Sequence, residues 1–458
     1  MSPRQQLKLL RGNSFVRSVG VLAGGTAFAQ AIMVLILPIV TRLYTPSDFS
    51  ILAVYVSLAG IISVAACLRL DIAIPMPKCE VDAINLLALS LLLAGLISVI
   101  VAIPVVIAPK QIANLLGQPK IRPYLWLLPI GIFLAGSYSA LQFWATRQKN
   151  FTIIARTRMS QALAAASAQI GMGLAGFSPL GLIVGQVLNN GMGVAGLGRK
   201  IVSNDKELLK AISLSEMRRM FSRYDRFPKY SAMEALANSA GVQLPMILIA
   251  SVAIGPEAGF LALAMQVMQA PMALIGNAIS QVYLSKAPDE RRMGSLGSFT
   301  TTILGGLLKT GVGPLIFAGI VAPDVFAVVF GAEWHRAGVL VAWMTPWFIV
   351  QFLASPISMA LHVADRQATA LVLQIFGFFV RLISVLLAVY FFKAFIAETY
   401  AVSGVIFYSV YLAIVLRSVS VRWTDLALQL RRSGIYIIGW CILGLLCQLA
   451  INVVIRIS

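Results

Sequence analysis

Long apolar runs recur along this chain from residue 15 to residue 455, and only short polar connections separate most of them. A bilayer-spanning helix needs about 20 mainly apolar residues. The runs are too long for barrel strands and do not alternate between polar and apolar positions, so they predict helices. We expect thirteen spans, at 15–40, 50–67, 83–108, 124–145, 152–175, 179–198, 229–250, 254–284, 298–321, 337–361, 367–392, 399–416 and 434–455.

Composition supports a membrane protein. Hydrophobic residues make up 59% of the 458 positions and charged residues only 12%, whereas a soluble domain carries roughly 25% charged residues. The segment Ala27-Phe28-Ala29 resembles a signal-peptide cleavage site, but the apolar run continues through Val40, so we expect an uncleaved first helix. The four cysteines have no metal-like spacing. We predict an all-α polytopic membrane protein with no bound metal or cofactor.

The charges predict the orientation of the chain. With the N-terminus in the cytoplasm, 27 of the 36 Lys and Arg residues fall on the cytoplasmic side and seven on the far side. Cytoplasmic loops collect Lys and Arg, so we expect a multi-pass protein of the bacterial inner membrane with a cytoplasmic N-terminus. The net charge of +19 then reflects topology and not a nucleic-acid site. Thirteen spans place the C-terminus outside, and twelve or fourteen place it inside; both remain open.

The longest polar stretch, from 199 to 230, divides the spans into two sets of six plus one extra helix. We therefore predict an N-terminal six-helix lobe (1–200), a cytoplasmic linker (201–228), a C-terminal six-helix lobe (229–420) and an additional C-terminal helix (421–458). The segment TPSDF at 45–49 is echoed by GPEAGF at 255–260, about 210 positions later. Because six is even, both lobes enter the membrane the same way round, which predicts a pseudo-two-fold axis along the membrane normal.

Two cations lie within predicted spans. Arg381 lies in the middle of span eleven, and Gln374 is seven residues earlier on the same helical face. Lys309 lies inside span nine. A charged side chain at the centre of a bilayer costs about 2.5–3.5 kcal/mol on insertion scales, so such residues normally face a bundle interior or a wet cavity. We predict that these residues line a cavity; the alternative is a structural interhelical bond.

Span eight carries Gln266, Gln269, Asn277 and Gln281. At about 100° per residue the four amides fall within about 120° of one helix surface. They form a single polar stripe on an otherwise apolar helix. The stripe either lines the same cavity or bonds to a neighbouring helix, since amides also join membrane helices.

Carboxylates are rarer. Glu234 shares one face of span seven with Asn238 and is the best candidate for carrying a proton or sodium ion; the alternative is an ion pair with a neighbouring helix. Arg69 and Asp71 form a compact ionic pair after span two, which is also a possible helix-terminal salt bridge, and Arg42 ends span one. We include Arg42 and Arg69 among the cavity residues and Asp71 among the candidates for ion coupling. The excess of buried cations favours an anionic, hydroxylated solute, because guanidinium groups match phosphate oxygens and amides suit sugar hydroxyls.

Several segments carry a resemblance to a known family. They are PIVTRLYTPSDF at 38–49, RLDIAIP at 69–75, RFPKY at 226–230, GPEAGF at 255–260 and AISQV at 278–282. Together they resemble the Wzx-type polysaccharide and O-antigen flippases of the multidrug/oligosaccharidyl-lipid/polysaccharide (MOP) exporter superfamily. Leu70 departs from the family pattern, which usually has an aromatic residue there, and Glu234 is unusual in its segment.

The resemblance implies two six-helix lobes that work by alternating access. It also implies export of an undecaprenyl-pyrophosphate-linked oligosaccharide (for O-antigen, capsule or exopolysaccharide) from the cytoplasmic to the periplasmic leaflet. Its implied partners are this lipid-linked oligosaccharide, membrane lipids, and a polysaccharide polymerase and chain-length regulator.

Two other functions remain open. The first is a cation-coupled multidrug exporter of the same superfamily, although span one lacks the buried acid that those exporters usually carry. The second is a membrane glycosyltransferase or polymerase. The chain has only two His and 17 acidic residues, and they form no nucleophile–base arrangement. We therefore predict a transporter and not an enzyme.

Overall fold

The computed structural model describes residues 14–253, 255–364 and 366–457. Within these ranges, the side chains of residues 14–19, 204, 270, 271, 273–275, 277, 278, 281, 282, 284, 285, 288, 362, 367, 423, 452 and 454–457 lie outside the description. The described chain forms helices and contains no strand. This confirms the predicted all-α fold.

Seventeen α-helices of seven or more residues in chain order matter below. They are α1 Ser14–Leu35, α2 Leu37–Leu43, α3 Pro46–Ser63, α4 Glu80–Ile107, α5 Leu127–Arg147, α6 Phe151–Leu174, α7 Leu180–Gly191, α8 Gly193–Asn204, α9 Leu214–Arg223, α10 Ala232–Val252, α11 Glu257–Arg292, α12 Leu296–Leu307, α13 Gly313–Phe330, α14 His335–Ala354, α15 Gln367–Phe391, α16 Ile396–Ser418 and α17 Trp423–Ile457. A further seven-residue α-helix, Pro109–Leu115, and shorter helical segments at Leu70–Ala73, Pro119–Tyr124, Lys206–Leu209, Phe227–Ser231, Leu308–Val312, Ala332–Trp334, Ala360–Val363 and Lys393–Phe395 connect them.

Eleven helices in the described part of the chain are long and apolar enough to cross a membrane. They match eleven of the thirteen predicted spans, and α6 and α11 occupy the positions of the other two, spans five and eight. The last helix begins at Trp423, eleven residues before the predicted start of span thirteen. The multi-pass architecture is therefore confirmed.

Prolines and glycines set the breaks within these spans. α1 ends at Leu35, just before Pro38, which has no N–H to donate to the preceding turn. Between α12 and α13, the π-helical segment Leu308–Val312 lies directly before Pro314. A wider turn is a common way for a helix to absorb such an interruption.

The described chain divides into two compact units by its internal contacts. Unit one comprises the described parts of Met1–Tyr44 and Ile51–Gln243, and unit two comprises those of Thr45–Ser50 and Leu244–Ser458. The predicted linker belongs to unit one, and the division falls inside α10. The predicted domain bounds and the two-fold relation of the lobes stay predictions.

Close helix approach and buried hydrogen bonds hold unit one together. A Cβ on Gly25 of α1 would lie 2.7 Å from the Cβ of Ala155 in α6, so a glycine is needed at this crossing. The hydroxyl of Tyr55 donates to the carbonyl oxygen of Leu127 at 3.0 Å, and that of Tyr44 donates to the carbonyl of Gln169 at 2.7 Å. Such bonds let a membrane helix bury a tyrosine without leaving its hydroxyl unpaired.

The predicted linker is attached to unit one through α4. Asp82 accepts from Arg219 at 2.7 Å and from Arg223 at 3.1 Å, both in α9. The side chain of Asn85 donates to the carbonyl of Ala211 and accepts from the N–H of Ser213. The segment 211–223 is therefore held by both charge and amide bonds.

The linker ends in a local ion pair. Lys229 lies 2.5 Å from Asp225, four residues earlier. The hydrogen bond from Lys229 lowers the pKa of the exposed Asp225 carboxyl below its ordinary value.

In unit two, the first turn of α3 packs against the first turn of α11. The N–H of Gly259 donates to the Ser50 hydroxyl at 2.8 Å, and the rings of Phe49 and Phe260 meet Trp334 edge to face, with centroids 4.8 and 6.0 Å away. Trp334 is fully buried. The two segments that echo each other in the sequence thus lie in contact.

Candidate functional site

Arg381 is a residue of α15 in unit two, and its side chain packs against α16. Its side chain is 6% exposed. The guanidinium carbon lies 4.5 Å from the ring centroid of Phe407 and 5.8 Å from that of Tyr408. Both distances are typical of cation–π contact. Its Nε has no hydrogen-bond partner among the described residues. A buried cation held by aromatic faces therefore keeps one donor unused.

Gln374 does not share this environment. It is only about 20° away from Arg381 around the helix at 100° per residue, yet Gln374 is exposed. The helical angle predicts which face of a helix a residue lies on. It does not predict over which turns of that face a neighbouring helix packs.

Lys309 lies on an exposed polar face. The residues of this face are Ser298, Thr302, Gly306, Lys309 and Thr310, all exposed, whereas Leu304, Leu307 and Leu308 are buried. Thr302 and Thr310 donate to the carbonyls of Ser298 and Gly306, four residues earlier. The face lies within the span-length segment Leu296–Phe330. Below it, the position of Gly313 is covered by the Trp440 side chain, whose ring also meets Phe317 edge to face at 5.7 Å.

The amide stripe of α11 is described only in part. Gln266 is half-buried and Gln269 is exposed. The side chains of Asn277 and Gln281 lie outside the described residues.

The turn after α3 holds Arg69 and Asp71 in an unusual backbone. Arg69 has a φ of 61°, in the left-handed region that side chains rarely adopt. Asp71 is 4% exposed and accepts from the Ser139 hydroxyl at 2.5 Å. The other oxygen, Oδ1, and the Nε of half-buried Arg69 have no hydrogen-bond partner among the described residues. The expected ionic pair between Arg69 and Asp71 is therefore not formed, because Asp71 is held by α5 instead.

Arg42 and Glu234 both lie on the surface. Arg42 is exposed in the last turn of α2. Glu234 is exposed in the first turn of α10, and Asn238 is exposed one turn later. The expected shared face is present, and Met233, 62% exposed, lies beside it.

The sequence analysis did not single out a partly buried group of charges in unit two. Arg336, near the start of α14, donates from Nε to Glu257 at 3.0 Å and from Nη2 to Glu398 at 2.6 Å. The two glutamates lie in the first turns of α11 and α16. A sequence signal existed: each of the three lies within three residues of the start of a predicted span of even number. We call Glu257, Arg336 and Glu398 the ionic triad.

Comparison with solved structures shows which known fold this chain has. The chain has the fold of a lipid II flippase, MurJ, in an inward closed conformation, with a TM-score of 0.69 and 12% identity over 95% of this chain and 98% of that one. An inward-facing multidrug resistance MATE transporter of the MOP superfamily matches with a TM-score of 0.58 and 12% identity over 87% and 93% of the two chains. A MOP superfamily transporter from Pyrococcus furiosus matches with a TM-score of 0.57 and 14% identity over 90% and 97%. The chain thus shares the fold of these solved membrane proteins.

The family follows from the sequence. Residues 39–339 match the model of the family described as "Polysaccharide biosynthesis protein", and the chain belongs to this family. No curated protein matches the chain. Family and fold together confirm the predicted resemblance to polysaccharide flippases of the MOP superfamily.

Proposed function

We propose that this protein moves an undecaprenyl-pyrophosphate-linked oligosaccharide from the cytoplasmic to the periplasmic leaflet of a bacterial inner membrane by alternating access. The observation that carries the proposal is the exposed polar face around Lys309. A lysine and two threonines exposed in the middle of a span-length segment need a wet surface, since lipid does not solvate them. A wet cationic surface in a member of a polysaccharide biosynthesis family suits a phosphate-bearing sugar lipid.

In this proposal, the charged residues and the amide residues bind different parts of the substrate. Within unit two, Lys309 attracts the pyrophosphate, and Gln266, Gln269 and Gln374 bind sugar hydroxyls. Arg42, Arg69, Asn277 and Gln281 stay predicted cavity residues. Arg381 meets the substrate only when Phe407 and Tyr408 leave its guanidinium, because both rings lie against it. Glu234 and Asp71 remain candidates for ion coupling. A polymerase and a chain-length regulator would receive the exported unit.

The orientation is part of the proposal. The bias of 27 cytoplasmic to seven far-side cations supports a cytoplasmic N-terminus. With this orientation, the exposed face of α12 begins at the cytoplasmic end of its span.

The test is export by Lys309→Ala in a strain that lacks its own flippase. A charged hydrogen bond contributes about 1.5–3 kcal/mol, which corresponds to a loss of about 10- to 150-fold in substrate affinity. We expect surface polysaccharide to fall and the lipid-linked unit to accumulate in the inner leaflet. Lys309→Arg keeps the charge and should retain export.

Lys286→Ala provides the matched control, because Lys286 is an exposed lysine near the end of α11. Wild-type export by Lys309→Ala, with protein levels equal to the control, would remove the polar face from the proposal. Export of a cationic drug in place of the sugar lipid would favour the multidrug exporter. Sugar transfer by the purified protein would favour a glycosyltransferase.

A further inference from the structure

The ionic triad has one more negative charge than positive charge when both glutamates are ionised. Two carboxylates share a single guanidinium, with Arg336 Nε and Nη2 at 3.0 and 3.3 Å from the two oxygens of Glu257 and Nη2 at 2.6 Å from Glu398. The side chains of Glu398, Glu257 and Arg336 are 6%, 16% and 30% exposed. One arginine and one glutamate would already make a neutral pair, so a purely structural clamp has no need of the third charge.

Glu398 also has an unused oxygen. Its Oε1 contacts Arg336, but its Oε2 is buried and has no hydrogen-bond partner among the described residues. A buried carboxylate oxygen without a partner is costly, and proteins usually relieve that cost by neutralising the group. This oxygen without a partner therefore belongs to a side chain, Glu398, that is more than nine-tenths buried.

The chemistry of the triad favours a proton over a metal ion. Na⁺ and divalent cations need several oxygen ligands, and the described residues contain no group of three or more His, Cys, Asp or Glu residues that would hold a metal. The guanidinium lies within 2.6–3.3 Å of three of the four carboxylate oxygens and would repel a metal ion. A proton needs only one oxygen, and Oε2 of Glu398 is available.

Few other charges act on the site. The remaining charged or titratable groups at this end of the helices packed against α16 are Glu333 and His335 before and at the start of α14, the exposed Tyr390 at the end of α15, Lys393 before α16, and Tyr400 within α16. Glu333, His335 and Lys393 are exposed, and Tyr400 is buried. Arg381 of α15 contacts α16 at Phe407 and Tyr408, more than two turns further along. The side chain of His362, between α14 and α15, lies outside the described residues. No buried cation among the described groups therefore balances the second glutamate.

We propose that the ionic triad is a proton-binding site in which Glu257 and Glu398 share one proton, held on Oε2 of Glu398. On protonation, this oxygen takes up H⁺ to become a carboxylic acid and leaves a neutral Arg336–Glu257 ion pair; on release, the carboxylate and H⁺ are restored. The proposal rests on the transport function above and names its coupling ion. The first turns of α11, α14 and α16 meet at the triad, so loss of the proton changes the electrostatic balance of three helices at once.

Infrared spectroscopy of the purified full-length protein tests the site directly. We expect a buried carboxylic-acid C=O band that disappears when base removes the proton. Glu398→Gln and Glu257→Gln should each abolish the band, because each leaves one carboxylate on one guanidinium. Glu333→Gln, at an exposed glutamate of the same region, should retain it. The proposal is wrong if wild type shows no such band, or if the band survives in either triad variant.

Flipping of a labelled lipid-linked sugar in proteoliposomes separates this proposal from the proposed function. We expect a pH gradient to accelerate flipping by wild type and Glu333→Gln but not by Glu398→Gln. If the rate of flipping by wild type does not change with the pH gradient, the coupling role is wrong and the transport function still stands. A titrating band without any flipping overturns the transport function and leaves the proton site standing.

Discussion

Replacing Arg336 with methionine should destabilise the protein strongly, because Arg336 is the only cation in the described part of unit two that pairs with both a buried carboxylate, Glu398, and a half-buried one, Glu257. The substitution removes the bonds at 2.6, 3.0 and 3.3 Å and leaves the two glutamates without their counter-charge. Removing one partner of a buried ion pair costs about 3–5 kcal/mol. Glu398→Gln behaves differently, since it keeps an acceptor for Arg336 and removes the excess charge. Its cost should stay below about 1 kcal/mol.

The assay is thermal unfolding of each variant in detergent, followed by tryptophan fluorescence, since Trp334 is fully buried in the same unit. Arg292→Met is the matched control: its side chain is 81% exposed and pairs with Asp289, which is 69% exposed. Exposed ion pairs contribute about 0–1 kcal/mol. The order of stability should be wild type close to Glu398→Gln and Arg292→Met, with Arg336→Met far below. Equal midpoints for Arg336→Met and Arg292→Met would refute the account of the triad.

Three further predictions follow from other contacts. Gly25→Val should lower the free energy of unfolding by about 1–3 kcal/mol, since even a Cβ at this position would lie 2.7 Å from that of Ala155. Gly171→Val is the control, because a Cβ there meets no atom within 4 Å. Thermal unfolding measures both variants. Asp82→Asn removes the carboxylate that holds two arginines of α9 and should speed cleavage of the segment 211–223 in limited proteolysis, whereas cleavage at the wild-type rate would contradict the attachment. Arg381→Ala should stop polysaccharide export while leaving the protein inserted, and normal surface polysaccharide in that strain would remove Arg381 from the site.

Hydropathy predicted the helices well, because a membrane span is a local property of about 20 consecutive residues. α4 and α15 begin within three residues of their predicted starts, at Glu80 and Gln367. α17 shows the limit of this approach. Arg431 and Arg432 interrupt the apolar run, so the pattern delayed the span to residue 434, yet the helix continues through them from Trp423. A helix does not have to end where the bilayer does.

Side-chain environments were harder to predict, because they depend on contacts between distant positions. Glu257, Arg336 and Glu398 are separated by 79 and 62 positions, and each alone resembles an ordinary charge at a span end. Asp71 shows the same limit at short range. Its neighbour Arg69 was the expected partner, but the left-handed turn and Ser139, 68 positions later, determine its bond. The periodicity of hydrophobic residues along the chain does not reveal such contacts between distant positions.

The position of Trp440 gives the last helix, α17, a role beyond anchoring. Helical spacing would carry the exposed face of α12 onward from Gly306 and Thr310 to Gly313 and Phe317, and Trp440 covers both of these positions. The exposed polar face of this segment therefore ends where an indole of α17 packs over it. A chain of this fold without α17 would need another bulky side chain there to end the exposed polar face.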